Sequence, residues 1–168
     1  MADTQTLKYA FTGTVDEVKD LSMDLVTNPT ITHTLGTDSG TLTASTTVPV
    51  TKTYSDTLPL VAGVLDIDLT SLPGPEATTI TFTGLKVQFV KIICPASNTL
   101  PIAFWKHAVN GYNLFGADNA SAERVEIMPG GKFMMYHPNS AEDVDATHKV
   151  VTIAGDGTES FSILIVAG

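Results

Sequence analysis

The sequence predicts an all-β protein: a single antiparallel β-sandwich, jelly-roll-like, spanning residues 1–168. Threonine, a β-branched residue whose hydroxyl suits the wet face of a strand, recurs through the first half of the chain. Short stretches of alternating apolar residues are separated by turn residues at intervals of about ten positions, which is typical of sandwiches, jelly rolls and barrels. A hydrophobic content of 43% with 16% charged residues indicates a globular chain.

The first half contains four stretches predicted to be strands, namely residues 6–14, 30–35, 41–54 and 58–69. Pro49 has no amide donor, so the third stretch is expected to lie at a sheet edge or to contain a bulge. Residues 15–26 fit two interpretations, because Val15 and Val18 begin a helical period whereas Leu21, Met23 and Leu25 alternate as in a strand. Residues 36–40 are expected to form a loop.

Residues 84–105 are the densest apolar stretch, and they predict a hairpin of residues 86–94 and 101–108 across the turn Pro95-Ala96-Ser97-Asn98. Phe104 and Trp105 are neighbours on a strand and point to opposite faces, so one ring should pack in the core and the other should be exposed or in a subunit contact. Residues 70–79, rich in proline, are predicted to be a long connection within the one domain.

Two further hairpins are predicted near the end of the sequence. Residues 123–128 and 132–137 flank Pro129-Gly130-Gly131, and residues 149–154 and 160–167 flank Gly155-Asp156-Gly157. Glycine-containing turns between two apolar stretches are a common hairpin signal.

The formal net charge of −9 argues against nucleic acid as a partner, since phosphate backbones are bound by clustered lysine and arginine. No stretch reaches the roughly 18 apolar residues of a membrane helix, and the N-terminal residues lack a secretory pattern, so we expect a protein made in the host cytoplasm with no membrane partner. Cys94 is the single cysteine, expected to be a buried hydrophobe rather than a reactive thiol.

No catalytic, cofactor-binding or metal-binding set is predicted. The histidines His33, His107, His137 and His148 lack a metal-binding spacing, and the acidic residues 142–145 lack the order of a dedicated calcium loop. The best site-like feature is the aromatic group Trp105, Tyr112 and Phe115, whose rings are expected to form a sugar-stacking surface or to pack in the core or a subunit contact.

The second half of the chain contains in succession GLKVQFVKIICPASNTLPI, NGYNLFG, VEIMPGGKFMMYHP and KVVTIAGDGTESFSILIVAG. These segments hold a strand ending in a Pro-x-x-Asn turn, a Pro-Gly-Gly turn and a last strand ending in small residues. This succession resembles small β-rich virion proteins of tailed bacteriophages. The resemblance implies no catalytic residue.

These observations suggest three functions to compare. The first is a non-enzymatic structural protein of a phage-like virion, in a capsid decoration (cement) or minor capsid role, whose partners are copies of itself, as a trimer, and a major capsid or other virion protein. The alternative is a carbohydrate-binding or receptor-binding module, as in a spike or fibre head. A jelly-roll metalloenzyme, the third, has no support from the positions of the histidines.

Overall fold

The computed structural model describes residues 5–18, 30–114, 124–137 and 142–168, and the regular secondary structure in these ranges is strand apart from one short 3₁₀ turn. In chain order the strands are β1 (Thr6–Val18), β2 (Thr30–Thr43), β3 (Lys52–Pro59), β4 (Val64–Asp68), β5 (Leu72–Pro73), β6 (Thr79–Ile80), β7 (Val87–Ile93), β8 (Ile102–Lys106), β9 (Arg124–Ile127), β10 (Lys132–Tyr136), β11 (Val150–Ala154) and β12 (Ser160–Ala167). A short 3₁₀ turn, Pro75–Ala77, separates β5 from β6.

Two four-stranded antiparallel sheets form a sandwich. The first sheet has the order β10-β7-β12-β3 and the second the order β4-β11-β8-β9. The pairs β3–β12, β4–β11, β7–β10 and β8–β9 are those produced when one long antiparallel ribbon folds over into two sheets, which is the jelly-roll arrangement. The predicted fold class is confirmed.

The core lies between the two sheets and is filled by alternate residues of their strands. Ile92 and Ile163 come from the first sheet, and Ile67, Phe104 and Ile153 from the second; all five are buried. The Phe104 ring meets Phe133 of β10 edge-on, with ring centroids 4.9 Å apart, so an aromatic pair spans the two sheets.

Phe104 and Trp105 point to opposite faces of β8, as predicted. Phe104 is fully buried, whereas Trp105 lies on the outer face of the second sheet and is partly exposed. The alternation of β8 therefore places one ring in the core and leaves the other for the surface.

The three predicted hairpins are wrong, although their strands exist. The strands β7 and β8, β9 and β10, and β11 and β12 each lie in different sheets, so each turn carries the chain across the core. The physical reason is that proline- and glycine-rich turn chemistry suits a connection between sheets as well as one within a sheet. The choice between them depends on which distant strand supplies the partner.

In the first half, the predicted loop at residues 36–40 is instead part of the continuous strand β2. Between Thr12 and Thr14 of β1 the register shifts by one residue, and the extra residue lies in β2, where Gly36 has a φ of 83° that a β-branched residue would not tolerate. The predicted strand over residues 58–69 is broken after Pro59 by a turn with Ala62 and Gly63 at positive φ.

Two other first-half predictions have a mixed outcome. Residues 15–18 continue β1 as strand, so the helical interpretation fails there, and residues 19–26 lie outside the described residues. Pro49 lies in the connection between β2 and β3, and β3 is an edge strand of the first sheet. The 70–79 connection forms the short pair β5–β6.

Strands β1 and β2 form a separate two-stranded ribbon. Its base packs on the outer face of the first sheet, through the cluster Leu7, Leu42, Val48, Val50, Phe89 and Val166. The Tyr9 ring lies 4.7 Å from the ring of Tyr136 on β10, measured between centroids. This contact fixes where the ribbon leaves the sandwich.

We predict that Phe104→Ala lowers the free energy of unfolding by about 3–5 kcal/mol, because it removes a fully buried ring and its partner across the core. Trp105→Ala should cost less than about half as much, because its ring is only partly buried. Urea denaturation of the two variants measures the difference. Equal losses would contradict the assignment of the two rings to opposite faces.

Candidate functional site

A groove crosses the outer face of the second sheet, and Trp105 lies in it. Two rows of outward residues, each contributed by all four strands, form this face. The first row is Val64, Ala154, Ala103 and Glu126, and the second is Asp66, Thr152, Trp105 and Arg124.

The groove is concave because its floor is made of small side chains. Ala103 and Ala154 are directly paired across β8 and β11, so a depression lies beside the large indole of Trp105. The groove has a volume of about 450 Å³, in the size range of small-ligand sites. Leu100 and Pro101 form one wall.

Buried polar contacts hold this wall in place. Asn98 donates to the Ser160 carbonyl at 2.8 Å and accepts from the Ser160 amide at 3.2 Å. The Glu159 carboxylate, which is buried, accepts from the Leu100 amide and the Thr99 hydroxyl, both at 3.1 Å. The loop before β8 is therefore tied to the start of β12, and the groove wall is preformed.

Three charged side chains surround the groove. Arg124 and Glu126 lie on the edge strand β9, Asp156 lies in the turn after β11, and all three are exposed. One guanidinium and two carboxylates thus offer both hydrogen-bond donors and acceptors around an apolar floor.

In the second row of outward residues, a side-chain hydrogen bond joins β11 to β4. Thr152, directly opposite Trp105, donates its hydroxyl to Asp66 at 2.7 Å and is itself buried although it lies on the outer face. His107 Nε2 lies 3.5 Å from the other carboxylate oxygen of Asp66.

The predicted aromatic surface does not form as a group. Trp105 lies in the groove, but Tyr112 is fully buried, so of the alternatives expected for the Tyr112 ring the structure shows core packing and not a sugar-stacking surface. The Tyr112 hydroxyl accepts from the Val87 amide at 3.0 Å and donates to the Glu142 carbonyl at 2.8 Å. Phe115 lies outside the described residues.

Tyr112 instead ties the core to the acidic stretch of residues 142–145. Burial raises its pKa to about 12, opposed by the Val87 hydrogen bond and reinforced by Glu142 and Asp143. Glu142 accepts from the Asn113 amide, Asp143 pairs with Lys86 at 3.1 Å, and Asp145 accepts from the Thr147 and His148 amides. The His148 ring lies between Glu142 and Asp145, with Nε2 3.5 Å from Glu142 and Nδ1 3.2 Å from Asp145.

Within the described ranges, no group of three or more His, Cys, Asp or Glu side chains could hold a metal ion. Cys94 is buried, as predicted, and accepts a weak hydrogen bond from the Asn98 amide at 3.3 Å. No helix in the described part of the chain is long and apolar enough to cross a bilayer.

Exposed apolar residues gather at one end of the sandwich, which we call the loop end. Val61 (70% exposed), Val64, Leu100 and Met128 (62%) all lie in or beside the turns after β3, β7 and β9. These turns are neighbours: the Leu60 and Leu100 amides both donate to Glu159, and the Gly130 amide in the turn after β9 donates to the Cys94 carbonyl at the end of β7. The groove opens beside this end.

Sequence reasoning missed the groove residues other than Trp105. Ala103, Arg124 and Glu126 carry no local signal, and they meet only because β8 pairs with β9. The sequence matches no protein-family model and no curated protein.

We predict that Tyr112→Phe lowers the free energy of unfolding at neutral pH by about 1–3 kcal/mol, because the buried Val87 amide loses its acceptor. Tyr54→Phe is the matched control: Tyr54 is also buried, but its hydroxyl makes only a 3.3 Å bond to Asp56. Chemical denaturation should show the larger loss for Tyr112→Phe.

The same residue gives a pH test. The pKa of the Tyr112 hydroxyl is raised in the folded state. The stability that the neutral hydroxyl contributes is therefore present below the unfolded pKa of about 10 and is lost as the pH rises towards about 12. The wild type should therefore lose stability over that window, and Tyr112→Phe should lose less. Identical alkaline profiles for the two proteins would contradict the buried placement of the hydroxyl.

Proposed function

We propose that this protein is a non-enzymatic structural component of a phage-like virion, in a capsid decoration (cement) or minor capsid role. It would act through protein–protein contacts with further copies of itself, as a trimer, and with a major capsid or other virion protein. The family resemblance of the second half is one support. The ribbon β1–β2 is the observation that carries the proposal.

The ribbon is long for a structure of two strands. Strand β1 has 13 residues and β2 has 14, which at about 3.3 Å per residue is a length of roughly 40 Å. Among the described strands, β1 and β2 pair only with each other. An isolated two-stranded ribbon is marginally stable in water.

Among the ribbon side chains that the structure describes, those in the apolar cluster on the first sheet lie near the base of the ribbon. Leu7 and Leu42 belong to the cluster, and Tyr9 and Phe11 pack against it, all of them on the near side of the bulge. Beyond the bulge the register continues from Thr14–Thr34 to Val18–Thr30. A second copy that covers this outer half would supply the stabilisation that a two-stranded ribbon lacks.

The ribbon is suited to meet another copy of the same acidic chain. Identical subunits with a net charge of −9 repel one another, so a contact between them needs a segment of low charge. Strand β2 carries one acidic residue, Asp38, and no lysine or arginine, whereas the outer half of β1 carries Asp16 and Glu17. The β2 edge is therefore the side of the ribbon suited to this contact. Strand edges with unpaired backbone groups are also where chains join.

The apolar loop end suits the second kind of contact, with another virion protein. Val61 and Met128 are highly exposed for residues of their type, and apolar patches of this sort mark protein interaction surfaces.

We predict that the full chain is oligomeric, as a trimer, at micromolar concentration. Thr34→Asp, at an exposed position in the outer half of β2, should weaken self-association by about tenfold or more through repulsion between copies. Thr41→Asp, exposed on the same strand but near the base, is the matched control and should have little effect. Light scattering after size-exclusion chromatography, over a dilution series, measures both.

A strictly monomeric chain at all concentrations would contradict the assembly role. The virion assignment has a separate test, because the chain should be found by mass spectrometry in particles purified from cells that carry its gene. If the chain forms an oligomer but is absent from such particles, self-association is supported and the virion role is refuted.

A further inference from the structure

We propose that the groove on the second sheet binds a neutral glycan, with the C–H face of a pyranose ring stacked on Trp105. This goes beyond the assembly role, which uses the ribbon and the loop end. Trp105 is partly exposed on the outer face of β8, where the alternation of the strand requires no large apolar side chain. A partly exposed aromatic ring beside a depression can stack on the flat apolar face of a polar ligand.

The floor of the groove has the right size for a sugar ring. Ala103 and Ala154 leave room beside the indole, and the volume of about 450 Å³ accommodates a short oligosaccharide. The floor offers apolar contact without competing hydrogen bonds, and the hydroxyls of the ligand would be met at the rim.

The rim supplies polar groups of both kinds. Arg124 can donate in several directions, and the carboxylates of Glu126 and Asp156 can accept from sugar hydroxyls. With two carboxylates against one guanidinium, and a chain that is strongly acidic, an anionic sugar would be repelled. The charge around the groove therefore favours a neutral glycan over a sialylated or sulfated one.

The groove is preorganised, which limits the entropy that binding costs. Its wall at Leu100 and Pro101 is tied down by Asn98 and by the buried carboxylate of Glu159. The second row of outward residues, which contains Trp105, is held by the hydrogen bond from Thr152 to Asp66.

A purely structural role for Trp105 is the competing explanation, in which the indole only shields Thr152 and its hydrogen bond. That role predicts a loss of stability on substitution but no ligand. A variant that fills the groove and keeps the indole separates the two explanations. Ala103→Arg does this, because Ala103 lies outward on the floor and its side chain is not part of the core.

The experiment uses the fact that Trp105 is the single tryptophan, so the intrinsic fluorescence of the full chain reports on the groove alone. An array of neutral and acidic glycans, including bacterial ones, is first probed with the labelled wild-type chain. Neutral glycans that bind are then titrated while fluorescence and acrylamide quenching are recorded. We expect a blue shift and reduced quenching, with weaker or no response to acidic glycans.

Trp105→Phe should retain part of the affinity measured on the array, and Trp105→Ala should lose about tenfold or more. Ala103→Arg should lose the spectral change while its unfolding transition stays close to that of the wild type. Val109→Ser, at an exposed apolar site outside the groove, is the control and should bind as the wild type does.

Three results would overturn the proposal: no glycan bound on the array, binding that is indifferent to both Ala103→Arg and Trp105→Ala, or a preference for acidic glycans. Loss of self-association in Ala103→Arg without any glycan binding would assign the groove to a second copy of the chain instead. None of these results bears on the ribbon variants, so failure here is distinguishable from failure of the assembly role.

Discussion

The pairing of β12 between β3 and β7 is the constraint on which the rest of the structure depends. This last strand has Cα partners on both sides along most of its length. Its alternate residues serve two clusters: Phe161, Ile163 and Ile165 are buried in the core between the sheets, whereas Val166 is buried under the base of the ribbon. One strand thereby holds the two sheets and the ribbon in a fixed relation.

The same strand also positions the groove, although the groove lies on the other sheet. Ser160, the first residue of β12, exchanges two hydrogen bonds with Asn98, and the preceding Glu159 holds the Leu100 amide. Because Leu100 forms the groove wall, the geometry of the site is set by where β12 begins. Rigidity at the start of this strand is what a preformed binding surface requires.

The sequence predicted the strands of the fold better than the way in which they pair and connect. Alternation predicted that Phe104 and Trp105 face opposite sides of their strand, and apolar stretches located most of the sandwich strands. The same patterns could not show that β7 and β8 lie in opposite sheets, because turn chemistry at Pro95 and Asn98 is local whereas pairing is decided by distant strands. The jelly-roll class was reached from strand number and spacing.

In the site, too, local patterns were readable from the sequence and contacts between distant segments were not. The sequence showed that one of Phe104 and Trp105 must face outward, because neighbours on a strand point to opposite faces, but it left open which one. Tyr112 could not be assigned, since its burial depends on the chain around Val87 and Glu142, far away in sequence. No sequence pattern distinguishes the two alanines that form the groove floor. Only the register of β8 with β11 shows that they lie side by side.

Hydrogen exchange of the full chain at two protein concentrations tests the central claim most directly, namely that a rigid jelly roll carries a ribbon completed by a second copy. The amides of β12 should exchange slowly and alike at both concentrations, as expected for a central strand. The amides of residues 14–18 and 30–34 should exchange rapidly when the chain is dilute and become protected when it is concentrated. Strong protection of those ribbon amides in the dilute monomer would contradict the account, since the ribbon would then need no partner.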